Sequence, residues 1–293
     1  MNAIQLVTLA AIWGASFLFM RIGAPAFGVV PLIAVRVGIA ALLLLPALRK
    51  SDARLEFKAH AWPLFVVGVT NSAVPFCLLT YAALYVTAGV DSILNATTPM
   101  WTAVLAFLWL SVPLKRAQVG GLLIGFIGVV ILAWDTIGEG SKGTLGAVGA
   151  AILATLSYGF AANFSKRNLG AVRPWVSAFG SQLFAVIVLA PGAILFWPHV
   201  PIDVMNWTAV ILLGTLCTAV AYILYFGLIR NAGAQYAASV TLLIPVFGVV
   251  WGALFLHESI SPRASIGCVV ILLGLGLTTG KIKGRVGRLA GPK

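Results

Sequence analysis

The second half of this chain repeats the first half at an offset of 146 residues, and both halves are strongly apolar. The pairs that mark the repeat are Gly68 and Gly214, Phe76 and Tyr222, Pro99 and Pro245, Gly121 and Gly267, and Gly128 and Gly274. Each half holds five long apolar segments. Because five is odd, the second copy must enter a bilayer inverted relative to the first. Inverted repeats are typical of secondary transporters, whose substrate site lies near the bilayer midplane between the copies.

The composition indicates that lipid is the main solvent of this chain. Charged residues make up 9%, apolar residues 61%, and the mean hydropathy is +1.05, whereas a soluble domain carries roughly 25% charged residues. A helix needs about 20 apolar residues to cross the hydrocarbon core. The ten segments that meet this need are 5–22, 30–48, 62–85, 91–111, 117–134, 144–165, 174–197, 207–229, 236–256 and 263–280. We therefore predict an all-α integral membrane protein with ten transmembrane helices.

The distribution of positive charge predicts the topology. Fifteen Lys and Arg residues fall on one side of the predicted membrane and three, Arg21, Lys142 and Arg263, on the other. Such a bias places the basic side and both termini in the cytoplasm. The predicted units are a first five-helix repeat over 1–134, a linker over 135–143, a second repeat over 144–280 and a basic cytoplasmic tail over 281–293. We expect this tail to contact anionic lipid and no nucleic acid, despite the net charge of +12.

Polar side chains recur at helical spacing on three segments: Asp91, Asn95, Thr98 and Thr102; Thr155, Tyr158 and Ser165; and Thr215, Thr218, Tyr222 and Tyr225. A helix gains nothing by presenting hydroxyls to acyl chains, so these stripes face either a wet cavity or a neighbouring helix. We favour a cavity. The side chains that we expect to line it are Trp13, Ser16, Phe76, Thr80, Asn95, Thr98, Trp101, Tyr158, Tyr222, Tyr225 and Thr241, on helices 1, 3, 4, 6, 8 and 9.

Two features of that set have alternative interpretations. The repeat pairs Trp13 with Tyr158 and Phe76 with Tyr222, which makes either an aromatic box for flat or cationic substrates or packing filler. We also expect helix kinks at Pro75, Pro99 and Pro245. Each proline frees the carbonyl four residues earlier, which accepts a bond either from a substrate ammonium group or from a neighbouring hydroxyl.

The titratable residues argue against several functions. None of the seven acids is predicted near a helix centre, which disfavours a proton relay and favours facilitated export over proton antiport. Arg36 lies within the second helix, where a structural pair is the preferred interpretation over a contact with substrate or with a backbone carbonyl. We expect no metal and no cofactor, because the chain has no cluster of ligand residues, no phosphate-binding loop and no catalytic dyad. It is therefore predicted not to be an enzyme.

Several short motifs resemble those of the EamA family of the drug/metabolite transporter superfamily, across essentially the whole chain. They are Trp13-Gly14-Ala15-Ser16-Phe17 with Arg21; Tyr81-Ala82-Ala83-Leu84; Tyr225-Phe226-Gly227-Leu228; Leu256-His257-Glu258-Ser259-Ile260; and the repeated prolines and glycines named above. The family often carries Glu in the first copy too, where this chain has Val112 beside Pro113. This difference suggests that Glu258 is mainly a helix-end contact. Within the family, the chain looks most like the aromatic amino acid and methyl viologen exporters.

The resemblance implies ten helices and export of amino acids or other small metabolites. We predict a multi-pass carrier of the bacterial inner membrane that exports amino acids, with broad specificity including aromatic ones. It would work by alternating access through a central cavity. An exporter of organic cations is the alternative, and an integral-membrane enzyme is a distant third. The expected partners are a small-molecule substrate and lipid, and we expect a monomer.

Overall fold

The fold is a bundle of helices, seen in a computed structural model that describes residues 2–138, 143–259 and 261–280. Within these residues no strand occurs. The helices are α1 (Asn2–Phe27), α2 (Val29–Leu44), α3 (Ser51–Ala59), α4 (Ala61–Gly68), α5 (Val74–Ala82), α6 (Ala88–Asn95), α7 (Thr98–Leu110), α8 (Arg116–Gly138), α9 (Thr144–Asn168), α10 (Pro174–Leu195), α11 (Val204–Gly214), α12 (Ala221–Ala232), α13 (Ala234–Ala237), α14 (Val240–Leu256) and α15 (Pro262–Thr278). The predicted tail 281–293, and 139–142 of the predicted linker, lie outside the described residues.

The described helices form eight stretches that are long and apolar enough to cross a membrane, so the chain is a multi-pass membrane protein. Some of these stretches combine several elements, such as Ala61–Ala82 and Val204–Ala232. The two remaining apolar helices, α14 and α15, have 17 residues each, at the lower end of the length that spans a bilayer.

Helices that correspond in the two halves run antiparallel where they pack against each other. A Cβ added at Gly121 of α8 would lie 2.6 Å from the backbone N of Thr278, and one at Gly128 would lie 2.7 Å from that of Ile271. The residue numbers rise along α8 while they fall along α15. Glycine at the repeat positions thus allows backbone contact without side chains, and the opposite directions are those that an inverted repeat requires.

The first helix of each half packs on the other half in a symmetric way. A Cβ at Gly14 of α1 would lie 2.9 Å from the backbone N of Gly248 in α14, and one at Gly159 of α9 would lie 2.9 Å from that of Thr102 in α7. Gly248 and Thr102 are again 146 residues apart. The contacts between the halves therefore follow a pseudo-twofold axis, and the space around that axis lies between the two copies.

Two π-helical segments occupy matching positions in the two halves, Val69–Ala73 and Thr215–Val220. Such segments are rare and often adjoin functional sites, because the extra residue per turn leaves backbone groups unpaired. Pro75 lies two residues after the end of the first segment, but its repeat mate, which directly follows the second segment, is Ala221. Proline alone therefore does not cause the irregularity, which belongs to this position of the fold.

A central cavity as the candidate substrate site

A cavity of about 340 Å³ lies where the two halves meet. Its lining contains nine of the eleven predicted residues: Trp13, Ser16, Phe76, Asn95, Thr98, Tyr158, Tyr222, Tyr225 and Thr241. The other lining residues are Phe17, Met20, Arg36, Asn71, Leu79, Ala96, Ala162, Cys217, Thr218, Ala238, Val240 and Ile244. Pockets of 300–1,000 Å³ with apolar walls and a few polar groups are typical of small-molecule sites.

Thr80 and Trp101 do not line the cavity. Thr80 is completely buried one turn beyond Phe76, and the hydroxyl has no hydrogen-bond partner among the described residues. The Trp101 ring packs edge-on against Phe126 of α8, with 5.0 Å between ring centroids. Helical spacing along α7 placed Trp101 near Thr98, but the side chain turns away from the axis toward a neighbouring helix.

The four predicted box residues line one cavity, although they do not contact each other as one ring. Trp13 packs on Tyr225 at 5.3 Å between centroids, and Phe76 packs on Tyr158 at 6.4 Å. Tyr222 stacks on Phe226 instead. The result is a wall of aromatic faces that can stack against a flat apolar side chain.

Arg36 is buried in this wall and has no acidic partner among the described residues, so the structural pair that it forms is with a neutral group. Its Nε donates to the Thr218 hydroxyl at 3.0 Å, and one terminal nitrogen lies 3.7 Å from the Met20 sulfur. The guanidinium also lies 3.8 Å over the Phe76 ring, which is a cation–π contact. These neutral neighbours leave a fixed positive charge at the cavity.

The repeat offset identifies the counterpart of this pair. Gln182 is the mate of Arg36, Ser72 is the mate of Thr218, and the Gln182 amide donates to the Ser72 hydroxyl at 2.9 Å. The same hydrogen bond therefore occurs in both halves, once from a cation and once from a neutral amide. Among the described residues that line the cavity, Arg36 is the only charged one.

Helix interruptions adjoin the cavity close to two of the three predicted kinks. Pro99 is the second residue of α7, which follows a non-helical break at Ala96 and Thr97, and Ala96 lines the cavity. Pro75 is the second residue of α5, directly after the first π segment. Pro245, in contrast, lies inside the continuous helix α14, and the break in that region precedes the helix.

At one end of the bundle, Glu258 joins the end of α14 to the start of α6. Its carboxylate accepts the backbone N–H of Ala88, the first residue of α6, at 2.9 and 3.2 Å. It also lies 3.7 Å from the Nε of Arg21, whose guanidinium donates to the Ala83 carbonyl. The expectation of a helix-end contact is confirmed. Ala238 lines the cavity at the opposite end of the same helical region and is exposed, so the cavity approaches the surface there.

The opposite end of the bundle carries its own ion cluster. Arg173 donates from its Nε and its backbone N–H to Glu56, at 2.6 and 2.7 Å, and from a terminal nitrogen to Asp52 at 2.9 Å. Desolvation acts to raise the pKa of the Glu56 carboxyl, but the hydrogen bonds and the charge of Arg173 outweigh it and hold that pKa below its usual value. The hydrogen bond to Glu56 in turn raises the pKa of Arg173. This cluster ties α3 to the start of α10.

Comparison with known proteins agrees with this architecture. The model of the EamA-like transporter family matches residues 1–134 and 145–280. Over 96% of this chain, the identity is 26% with the uncharacterized transporter YvbV of Bacillus subtilis, which is covered to 92%, and 25% with the probable terminal-alkyne amino-acid exporter of Streptantibioticus cattleyicolor, covered to 94%. A solved crystal structure with 18% identity shares the fold, with a TM-score of 0.68 over 96% of this chain and 98% of the other. The chain belongs to the EamA-like transporter family.

Proposed function

We propose that this transporter exports amino acids, including aromatic ones, across the bacterial inner membrane by alternating access. The proposal includes ten membrane crossings with both termini in the cytoplasm, as the fifteen-to-three bias of basic residues favours. In that topology Glu258 closes the outer end, and the exposed Ala238 lies at the cytoplasmic end. The cavity is then accessible to substrate from the cytoplasm, as an exporter requires before it changes to the outward-open state.

The observation that carries the proposal is the unpaired cation of Arg36 at a cavity with aromatic walls. An amino acid brings a carboxylate that this guanidinium can bind with charge-assisted hydrogen bonds. Its side chain can stack against Trp13 or Tyr225, which lie 5.3 Å apart at the wall. The name of the Streptantibioticus relative, an amino-acid exporter, also supports this substrate class.

The same cation disfavours the alternative, export of organic cations. Two positive charges about 5 Å apart repel by about 3 kcal/mol at an effective dielectric constant near 20. The face of Phe76 that would attract such a substrate already holds the Arg36 guanidinium. Methyl viologen carries two positive charges, so we expect it to compete poorly.

Counterflow in proteoliposomes tests the proposal. We expect exchange of labelled phenylalanine to be inhibited by unlabelled phenylalanine and only weakly by phenylalaninamide, which lacks the carboxylate. In Arg36→Gln, which introduces the residue of the symmetry mate Gln182, inhibition by phenylalanine should weaken about 10- to 100-fold, because a hydrogen bond to a charged group contributes about 1.5–3 kcal/mol. Inhibition by the cationic amide should not weaken, because it has no carboxylate contact to lose.

Arg263→Gln is the matched control, since Arg263 is exposed and does not line the central cavity. It should leave both inhibitors at their wild-type potency. Equal inhibition by phenylalanine and its amide in the wild-type protein would overturn the carboxylate contact. Strong inhibition by methyl viologen would favour the organic-cation alternative instead.

A further inference from the structure

Asp91 is a carboxylic acid in the bundle interior without any compensating group. Its exposed fraction is zero, and neither carboxyl oxygen has a hydrogen-bond partner among the described residues. No buried acid was expected from the sequence, and Asp91 contradicts that expectation. The helix begins at Ala88, where the Thr87 hydroxyl accepts the Val90 N–H at 3.2 Å, so Asp91 is the fourth residue of α6 and lies in its first turn, away from the helix centre.

The surroundings of Asp91 offer no counter-ion that is free to pair. Of the elements packed on α6, α1 contributes Arg21, which is bound to Glu258 and the Ala83 carbonyl. Helix α9 contributes the Tyr158 hydroxyl, within electrostatic range of Asp91, and carries Lys166 and Arg167 at its far end. Helix α14 has no titratable side chain between residues 240 and 256, and α15 carries Arg263 and Cys268. An ionised carboxylate here would cost several kcal/mol, so burial favours the protonated acid.

The position of Asp91 connects the closed end with the cavity. Ala88, which donates its N–H to Glu258, lies three residues before it, and Asn95, which lines the cavity, lies four residues after it. The three residues share one face of α6. When the contact at Ala88 opens, the first turn of α6 loses its cover and water can reach the carboxyl.

We propose that Asp91 is the proton-binding site that couples export to proton entry, an inference that rests on the proposed function. With the outer end open, the carboxylate takes up one proton from the outer solution. The neutral acid can then be buried as the outer end closes, as the Asp91 side chain is buried here. On the cytoplasmic side the proton leaves to cavity water past Asn95, and the substrate moves in the opposite direction.

Proteoliposomes separate the two proposals. Counterflow of labelled phenylalanine at equal pH reports transport itself, and a pH-sensitive dye inside the vesicles reports proton flux. For one proton exchanged per zwitterionic substrate, which moves one net charge, we expect the wild-type protein to accumulate phenylalanine about tenfold in vesicles one pH unit more acidic inside than outside, with the membrane potential held at zero. Asp91→Asn, a permanently neutral isostere, should retain counterflow but lose both the proton flux and the accumulation.

Asp203→Asn is the matched control, because Asp203 is exposed and caps α11, and asparagine caps helices equally well. This variant should show the same proton flux and the same accumulation of phenylalanine as the wild type. If Asp91→Asn does not fold, Asp91→Glu should shift the pH at which proton flux is half-maximal. Counterflow without proton flux in the wild type, or coupled flux in Asp91→Asn, overturns the role of Asp91. An absence of counterflow in the wild type overturns the proposed function instead.

Discussion

Removal of the Glu258 carboxylate should open the end of the bundle that it closes. A hydrogen bond from the Ala88 N–H to a charged acceptor contributes about 1.5–3 kcal/mol. The ion pair with Arg21, whose side chain is 34% exposed, adds about 0.2–1 kcal/mol. Loss of both in Glu258→Ala destabilises the closed state by about 2–4 kcal/mol. At about 1.4 kcal/mol per factor of ten, the outward-open fraction should rise about 30- to 900-fold while it remains the minor state.

The native Cys217 provides the assay, because it lines the cavity and is 1% exposed. In a background with Cys77→Ala and Cys268→Ala, it is the single thiol of the chain. A small membrane-impermeant methanethiosulfonate added to the outside of right-side-out vesicles reacts with it only when the outer end is open. The reaction rate should therefore rise with the outward-open fraction.

Glu56→Ala is the matched control for this experiment. Glu56 also accepts a backbone N–H and also pairs with an arginine, Arg173, but at the other end of the bundle. Its removal should leave labelling from the outside unchanged. If Glu258→Ala labels Cys217 at the wild-type rate while counterflow persists, the contact does not hold the outer end closed, and the reasoning from its geometry is refuted.

Three further changes test packing, pH dependence and substrate selection. Gly128→Ala should lower the free energy of unfolding by about 1–3 kcal/mol, because the new Cβ would lie 2.7 Å from the backbone of Ile271. Gly120→Ala on the same helix is the control, because its Cβ would have no atom within 4 Å. Thermal unfolding in detergent measures both variants. Glu56→Gln should be less stable than the wild type near neutral pH. Since the folded-state pKa of Glu56 is lowered, this difference should vanish as the pH falls below the ordinary value of 4.5 and through the folded value. Trp13→Leu should weaken inhibition of counterflow by phenylalanine about 2- to 10-fold, since one aromatic contact contributes about 0.5–1.5 kcal/mol. Inhibition by alanine should be unaffected. Equal losses for both amino acids would contradict stacking on Trp13.

The repeat and the helical periodicity predicted most of the cavity. Nine predicted lining residues converge because period-3.6 stripes in related segments must face the shared axis of an inverted repeat. The partner of Arg36 was not identified from the sequence, since Thr218 lies 182 residues away and is neutral. The repeat offset contained a usable signal, because it relates Arg36 and Thr218 to Gln182 and Ser72, a second pair that can form a hydrogen bond.

The position of Asp91 depended on where one helix begins. Apolar content alone starts the fourth segment at residue 91, which would leave the carboxyl at the membrane surface. In the structure Thr87 caps the helix, and Glu258 from the other half covers its first turn. A single N-cap threonine such as Thr87 is a weak signal of a helix start in a sequence. The contact of Glu258 with Ala88 joins residues 170 positions apart, so it can be identified only in the tertiary structure. The two π-helical segments were also missed, because no local sequence motif predicts them.

The two halves share the same backbone packing but differ in their charged residues. The mates of Arg36, Asp91 and Glu258 in the other half are Gln182, Ala237 and Val112. Backbone packing around the axis is matched in the two halves, so inward-open and outward-open states would bury similar apolar surfaces. The contact of Glu258 with α6 has no symmetry-related counterpart, because its repeat mate Val112 cannot accept a hydrogen bond with its side chain. We therefore expect the outer-closed state to predominate without substrate, and substrate or proton binding must supply the free energy that opens it.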